Sequence, residues 1–190
     1  MNNEIRDRVQ VALEVQAMLK RHTGIKPVLA GGCARDVYYG VVPKDFDLIF
    51  PMEVNPKDLS GFFASLGISP RFIPLYNNNA DTDRVRGVCK MVREGIDFDI
   101  IFYAISEDEA VTDYFDFNFN QFELQGHTAV YCGNTDDWDV TFGGVKTLRQ
   151  TRFDAKPQRV AYITEKHIRY QANRLRSLGV FEEFDNEQPF

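Results

Sequence analysis

This chain of 190 residues holds few of the residue types that build covalent or soft-metal frameworks: three cysteines, three histidines and one tryptophan. Cys33, Cys89 and Cys132 are widely spaced, odd in number and without a C-x-x-C pair. That pattern excludes a disulfide frame and a thiolate zinc site, and it predicts reduced, buried thiols in a cytoplasmic protein. His22, His127 and His167 have no metal-ligand spacing and read as structural residues. No apolar run approaches the ~20 residues that a membrane span requires. The opening MNNEIRDRVQ is polar and carries acids, unlike a signal peptide. Internal repeats and low-complexity tracts are absent. A general excess of positive charge is also missing: the net charge of −6 argues against broad, non-specific binding of nucleic acid.

What remains is an ordinary globular mixture, 44% hydrophobic and 26% charged, enough to bury a core in one domain with a small appendage. The charge is uneven. Between Lys146 and Arg176, nine basic residues face only Asp154 and Glu165, a local +7 that leaves −13 for the rest. A polyanion could meet that segment; a solvated helix face explains it equally well. The expected division is therefore 1–145, with the chemistry, and 146–190, a basic helical extension ending in the acidic stretch FEEFDNEQPF.

Ile5, Val9, Ala12, Leu13 and Ala17 recur at helical spacing, predicting a helix over about 3–21 that stops at Gly24. PVLA reads as a short strand entering Gly31-Gly32, and ARDVYYG as a helical turn ending at Gly40. KDFDLIFP reads as a strand with Asp45 and Asp47 on one face and Phe46 and Leu48 on the other. Residues 56–66 read as a helix, 76–83 (YNNNADTD) as a mobile loop, and 156–178 as a second long helix. RVRGVCKMVREGIDFDIIFY reads as a hairpin turning at Glu94-Gly95, with Val85, Val88, Met91 and Val92 as its apolar positions and Asp97 and Asp99 sharing a face. Strands mixed with helices predict an α/β (α+β) fold, a mixed sheet flanked by helices.

Two carboxylates at i and i+2 on a strand repel one another unless a cation joins them. A hard divalent ion such as Mg²⁺ suits carboxylate oxygens together with phosphate and water. A third carboxylate from a neighbouring strand, Asp99 or Asp97, would allow two ions. Taken alone, an Asp-x-Asp pair is more often two exposed strand acids, and a Gly-Gly pair is more often a tight turn. Here they fall within twenty residues of one another. Gly31-Gly32 leads from a strand into a helical turn, where backbone N–H groups approach a phosphate. Arg35 and Lys44 add cations. Together these describe nucleoside-triphosphate chemistry, in which positioning and electrostatics do most of the catalysis.

GGCARDVYYGVVPKDFDLIF also resembles the signature G-G-x-V-R-D-x-L-L-G-R-x-x-x-D-x-D of the class II tRNA nucleotidyltransferase and bacterial poly(A) polymerase family, within the polymerase-β-like superfamily. Gly31, Gly32, Arg35, Asp36, Gly40, Asp45 and Asp47 match in register. DIIFYA resembles the strand of the third carboxylate, which favours Asp99 over Asp97. DFNFNQF resembles R-D-F-T-I-N-A-L, with Asp116 and Asn120 in register near the ribose, and FGGVKTL resembles a G-G-x-x-D-L segment. EKHIR resembles E-D-x-x-R, a nucleotide-binding motif whose Asp and Arg present edges to the incoming base; Glu165 and Arg169 are kept.

The resemblance, over about 25–175, implies a nucleotidyltransferase that binds ATP or another nucleoside triphosphate with Mg²⁺, two ions, on Asp45, Asp47 and Asp99. It would move a nucleoside monophosphate to an acceptor hydroxyl. An RNA 3′ end reached through 146–176 is one acceptor; a protein hydroxyl or a small molecule is another. Phe115 stands where the family has Arg, which removes one phosphate contact, and Lys166 stands where it has Asp, so the family's choice of base is not implied. The chain looks like a free-standing head domain of the kind familiar from phages, with only the start of the tRNA-holding neck. A silent module that binds nucleotide or a host protein is the alternative.

Overall fold

The computed structural model describes residues 2–66, 71–74 (as backbone) and 84–179. The loop expected at 76–83 and the acidic tail expected at 181–190 lie outside the described residues. The chain divides into two units: Met1–Phe115 with Asn120–Cys132, and Asp116–Phe119 with Gly133–Phe190. The boundary expected at 145/146 falls inside the second unit.

The first unit opens with helix α1, Asn3–Thr23. Asn2 caps it by accepting a hydrogen bond from the Glu4 N–H, and Gly24 ends it in the left-handed region at φ 79°. Ile5, Val9, Ala12, Gln16 and Leu19 form its buried stripe. Strand β1 (Val28–Leu29) leads through Gly31 into helix α2 (Gly32–Tyr38), then strand β2 (Asp45–Phe50) and helix α3 (Pro56–Ser65). Pro56 stands in the first turn of α3, where its missing N–H costs nothing. Strands β3 (Arg71–Pro74), β4 (Val85–Arg93) and β5 (Ile96–Tyr103) complete a sheet of order β1-β2-β5-β4-β3. Only β2 and β5 run parallel; the other neighbours are antiparallel. The expected α/β class with a mixed sheet is the observed one.

One sheet face is the core. Phe46, Leu48 and Phe50 on β2 and Phe98, Ile100 and Phe102 on β5 are buried, and Phe46 stacks on Phe98 and Phe50 on Phe102, each pair at 5.8 Å between ring centroids. β4 and β5 turn at Glu94-Gly95, both with positive φ (54° and 74°), as a two-residue hairpin requires. The apolar assignment of β4 needs a correction. A register shift between Val85 and Gly87 leaves Gly87, Cys89 and Met91 inward, while Val92 is 62% exposed. A strand that alternates cannot bury both Met91 and Val92. Strands β6 (Phe122–Gln125) and β7 (Thr128–Tyr131) form a hairpin in the same unit, and the Gly31 N–H donates to the Phe122 carbonyl at 2.8 Å.

In the second unit, strands β8 (Trp138–Asp139) and β9 (Gly144–Val145) pair, and helix α4 spans Pro157–Ser177 with Ile163, His167 and Tyr170 buried. No described helix is long and apolar enough to cross a membrane.

Candidate functional site

Parallel pairing of β2 with β5 sets Asp45 opposite Asp97 and Asp47 opposite Asp99. Because side chains alternate, all four carboxylates leave the same sheet face, opposite the phenylalanine core. Further along that face Ile49 and Ile101 take over, and Ile49 packs with Ala30, Ile105, Val111 and Phe115. The acids therefore stand at the strand starts, beyond the edge of an apolar cover. Asp45 and Asp97 are exposed; Asp47 and Asp99 are half-buried. The Asp-x-Asp alternation was readable in each strand; the register that joins the two pairs is a property of the sheet.

Gly31 closes the site on the side of Asp47. Its backbone (φ 86°, ψ −137°) lies where residues with a Cβ are strained, and a Cβ added there would stand 3.6 Å from Asp47 Oδ2 and 3.7 Å from the Phe115 ring. Gly31 thus keeps the backbone close to a carboxylate without a side chain between them. Gly32 begins α2 with ordinary helical geometry. Lys44 is exposed immediately before Asp45, and its carbonyl accepts a hydrogen bond from Arg8 at 3.1 Å.

Arg35, expected on phosphate, is held by protein partners in this structure. Its Nε and Nη2 donate to Asp36 Oδ1 at 2.9 and 2.7 Å, and its Nη1 donates to Asn120 Oδ1 at 2.5 Å. All three residues are buried. The structure therefore does bring Arg35 and Asn120 together, and the pair fastens α2 to the turn before β6. Asp36, matched in the signature but given no role there, is the counter-charge that permits Arg35 to be buried.

On the acid face Asp99 has a partner that sequence reasoning passed over. Lys90 Nζ lies 2.6 Å from both Asp99 carboxylate oxygens. The signal was present: a two-residue turn at Glu94-Gly95 pairs Arg93 with Ile96, and counting back pairs Lys90 with Asp99. Among the described residues no three His, Cys, Asp or Glu side chains are already grouped around an ion position. The donor chemistry is nevertheless that of a hard divalent ion, carboxylate oxygens from adjacent registered strands, although Lys90 holds both oxygens of Asp99. The thiols do not compete for such an ion. Burial, with Asp47 adding to it, pushes the Cys33 thiol far above its usual range, and burial raises that of Cys89 to about 11, with Asp99 adding.

Asp116, Glu165 and Arg169 belong to the second unit. Asp116 accepts from Arg159 Nε at 2.7 Å, and its carbonyl accepts from the Thr151 N–H at 2.9 Å. Glu165 and Arg169 are exposed and four residues apart on α4. Lys166 lies between them, its Nζ 5.5 Å from the Tyr170 ring centroid. The local +7 is partly answered within this unit: Arg149 pairs with Asp137 and Arg159 with Asp116, acids from outside the segment, while Arg152 pairs with Asp154 inside it. The hydrogen bond from Arg149 holds the Asp137 carboxyl below its usual value. His167 is buried, hydrogen-bonded to the Val145 carbonyl at 2.9 Å and set edge-on to Phe119, in keeping with a structural role.

No family model and no curated protein matches this chain.

Proposed function

We propose that this chain is a metal-dependent nucleotidyltransferase that moves a nucleoside monophosphate from a nucleoside triphosphate to an acceptor hydroxyl. The acceptor oxygen forms a bond to the α-phosphorus, the bond to the bridging oxygen breaks, pyrophosphate leaves, and the hydroxyl proton passes to water. The observation that carries this reading is the registered acid face, Asp47 opposite Asp99 and Asp45 opposite Asp97, beside the glycine turn at Gly31.

Asp45, Asp47 and Asp99 would hold Mg²⁺, with two ions expected. When bound, such ions neutralise triphosphate charge and activate the acceptor oxygen. The remaining work falls to the protein. Gly31 puts no side chain of its own beside Asp47. The Arg35–Asn120 bond fixes the glycine turn, so that ligands meet a set geometry. Lys44 supplies an exposed cation beside the acids. In the second unit Lys146, Lys156, Arg169 and Arg176 are exposed and Phe153 is 93% exposed, features that suit the backbone and bases of an RNA acceptor.

Transfer of label from α-³²P-NTP to total cellular RNA or lysate protein tests the reading. The wild type is expected to label one acceptor class, and Asp45→Ala with Asp47→Ala to abolish it. Undiminished transfer in that double variant refutes the assignment. The commitment of Arg35 to Asp36 and Asn120, and of Asp99 to Lys90, favours a second reading, a binding module without turnover. Mg²⁺-dependent ATP binding with no labelled acceptor would select it.

A further inference from the structure

Across the ladder from Asp99 stands a lysine. β4 and β5 are antiparallel with Lys90 opposite Asp99, and β5 and β2 are parallel with Asp99 opposite Asp47. One row across three strands therefore reads Asp47, Asp99, Lys90. The ammonium lies 2.6 Å from each Asp99 oxygen, so it satisfies the two atoms that a divalent cation would need from that carboxylate. The Lys90 side chain is 50% exposed and that of Asp99 23%, which leaves the pair screened by water and easily exchanged.

Resting on the reading of Asp45, Asp47 and Asp99 as ion ligands, we propose that Lys90 is a positioning residue, a built-in counter-cation that holds Asp99 until a divalent ion displaces it. Four carboxylates on one face repel one another, and an ammonium on one of them relieves part of that repulsion without an ion. Lys90 and the ion compete for the same two oxygens. Ion binding at this face therefore carries the cost of breaking one ion pair, and the affinity without nucleotide is set lower than the carboxylates alone would give. Releasing Lys90 returns a mobile cation to the same face.

Binding of Mn²⁺ alone tests this, read from the electron paramagnetic resonance signal of free Mn²⁺ on the full chain at low ionic strength without nucleotide. Lys90→Gln is expected to lower the Kd for Mn²⁺ about fivefold, the range of an exposed pair. Lys90→Arg, which keeps the charge, should bind as the wild type does. In an Asp99→Asn background, Lys90→Gln should change nothing. Unchanged or weaker Mn²⁺ binding by Lys90→Gln overturns the proposal and leaves the acid face standing as a metal site. Wild-type Mn²⁺ binding by Asp45→Asn with Asp47→Asn, or no Mn²⁺ binding by any form, overturns the metal reading and the proposal with it. Thermal melts by circular dichroism confirm that each variant is folded; Lys90 is exposed on its strand, and its replacement removes no core contact.

Discussion

Replacing Gly31 and Gly32 by alanine, one at a time, should move stability in opposite directions. Gly31 sits at φ 86° and ψ −137°, close to a region almost confined to glycine, where another residue costs about 1–3 kcal/mol. The cost is backbone strain and not collision. The added Cβ would stand 3.6 Å from Asp47 Oδ2 and 3.7 Å from Phe115, ordinary contact distances. Gly32 is the first residue of α2, and a Cβ there would meet only Arg35 Nη2 at 3.5 Å. Alanine should stabilise that position by roughly 0.5–1 kcal/mol, through helix propensity and a less flexible unfolded chain. For a chain of this size a kilocalorie moves the melting temperature by about 2–4 °C. Gly31→Ala should then lower Tm by about 2–12 °C, and Gly32→Ala should raise it by about 1–4 °C. Differential scanning calorimetry reads both, and it separates the transition of the first unit from that of the second if they melt apart. Equal losses from the two substitutions would show that side-chain space governs the turn. No loss from Gly31→Ala would show that its backbone is unconstrained, and either result refutes the reasoning.

Two further perturbations probe buried charge. Arg35→Met removes the guanidinium that neutralises the buried Asp36 and should cost about 3–5 kcal/mol in urea unfolding. Adding Asp36→Leu should recover much of that, and a double variant no better than the single would contradict the pairing seen here. His167 gives a pH dependence with a definite sign. Its ordinary pKa is 6.5, and burial lowers it in the folded protein because the charged ring is penalised. The unfolded state therefore takes up the proton first as pH falls. Stability is full above about 6.5 and declines as pH drops through 6.5 toward the lower folded value, by at most about 1.4 kcal/mol per pH unit. His167→Gln should flatten that part of the stability–pH curve, whereas an unchanged slope would place the titration elsewhere.

Local pattern was enough to read most of the elements. The long helices over 3–23 and 157–177 lie within two residues of the bounds expected from periodicity. Asp45 and Asp47 share a face because strand side chains alternate, and the Glu94-Gly95 turn announces itself by its residue types. Val92 was misplaced because both it and Met91 are apolar; alternation puts these neighbours on opposite faces, and it is Met91 that turns inward. Arg35 looked like a ligand because the sequence shows Asp36 beside it but does not show that the two are buried together. A further partner, Asn120, is 85 positions away and arrives only through folding.

By itself, then, the sequence determined the strand faces, the helix ends, the hairpin turn and the inventory of carboxylates, since each depends on neighbours a few residues apart. Tertiary structure alone decided that β2 lies parallel to β5 with Asp47 against Asp99, and that Arg35 is buried with Asp36 and bonded to Asn120. Those outcomes depend on strand order and on which charges must be neutralised when the sheet closes over its core, and no local spacing encodes either.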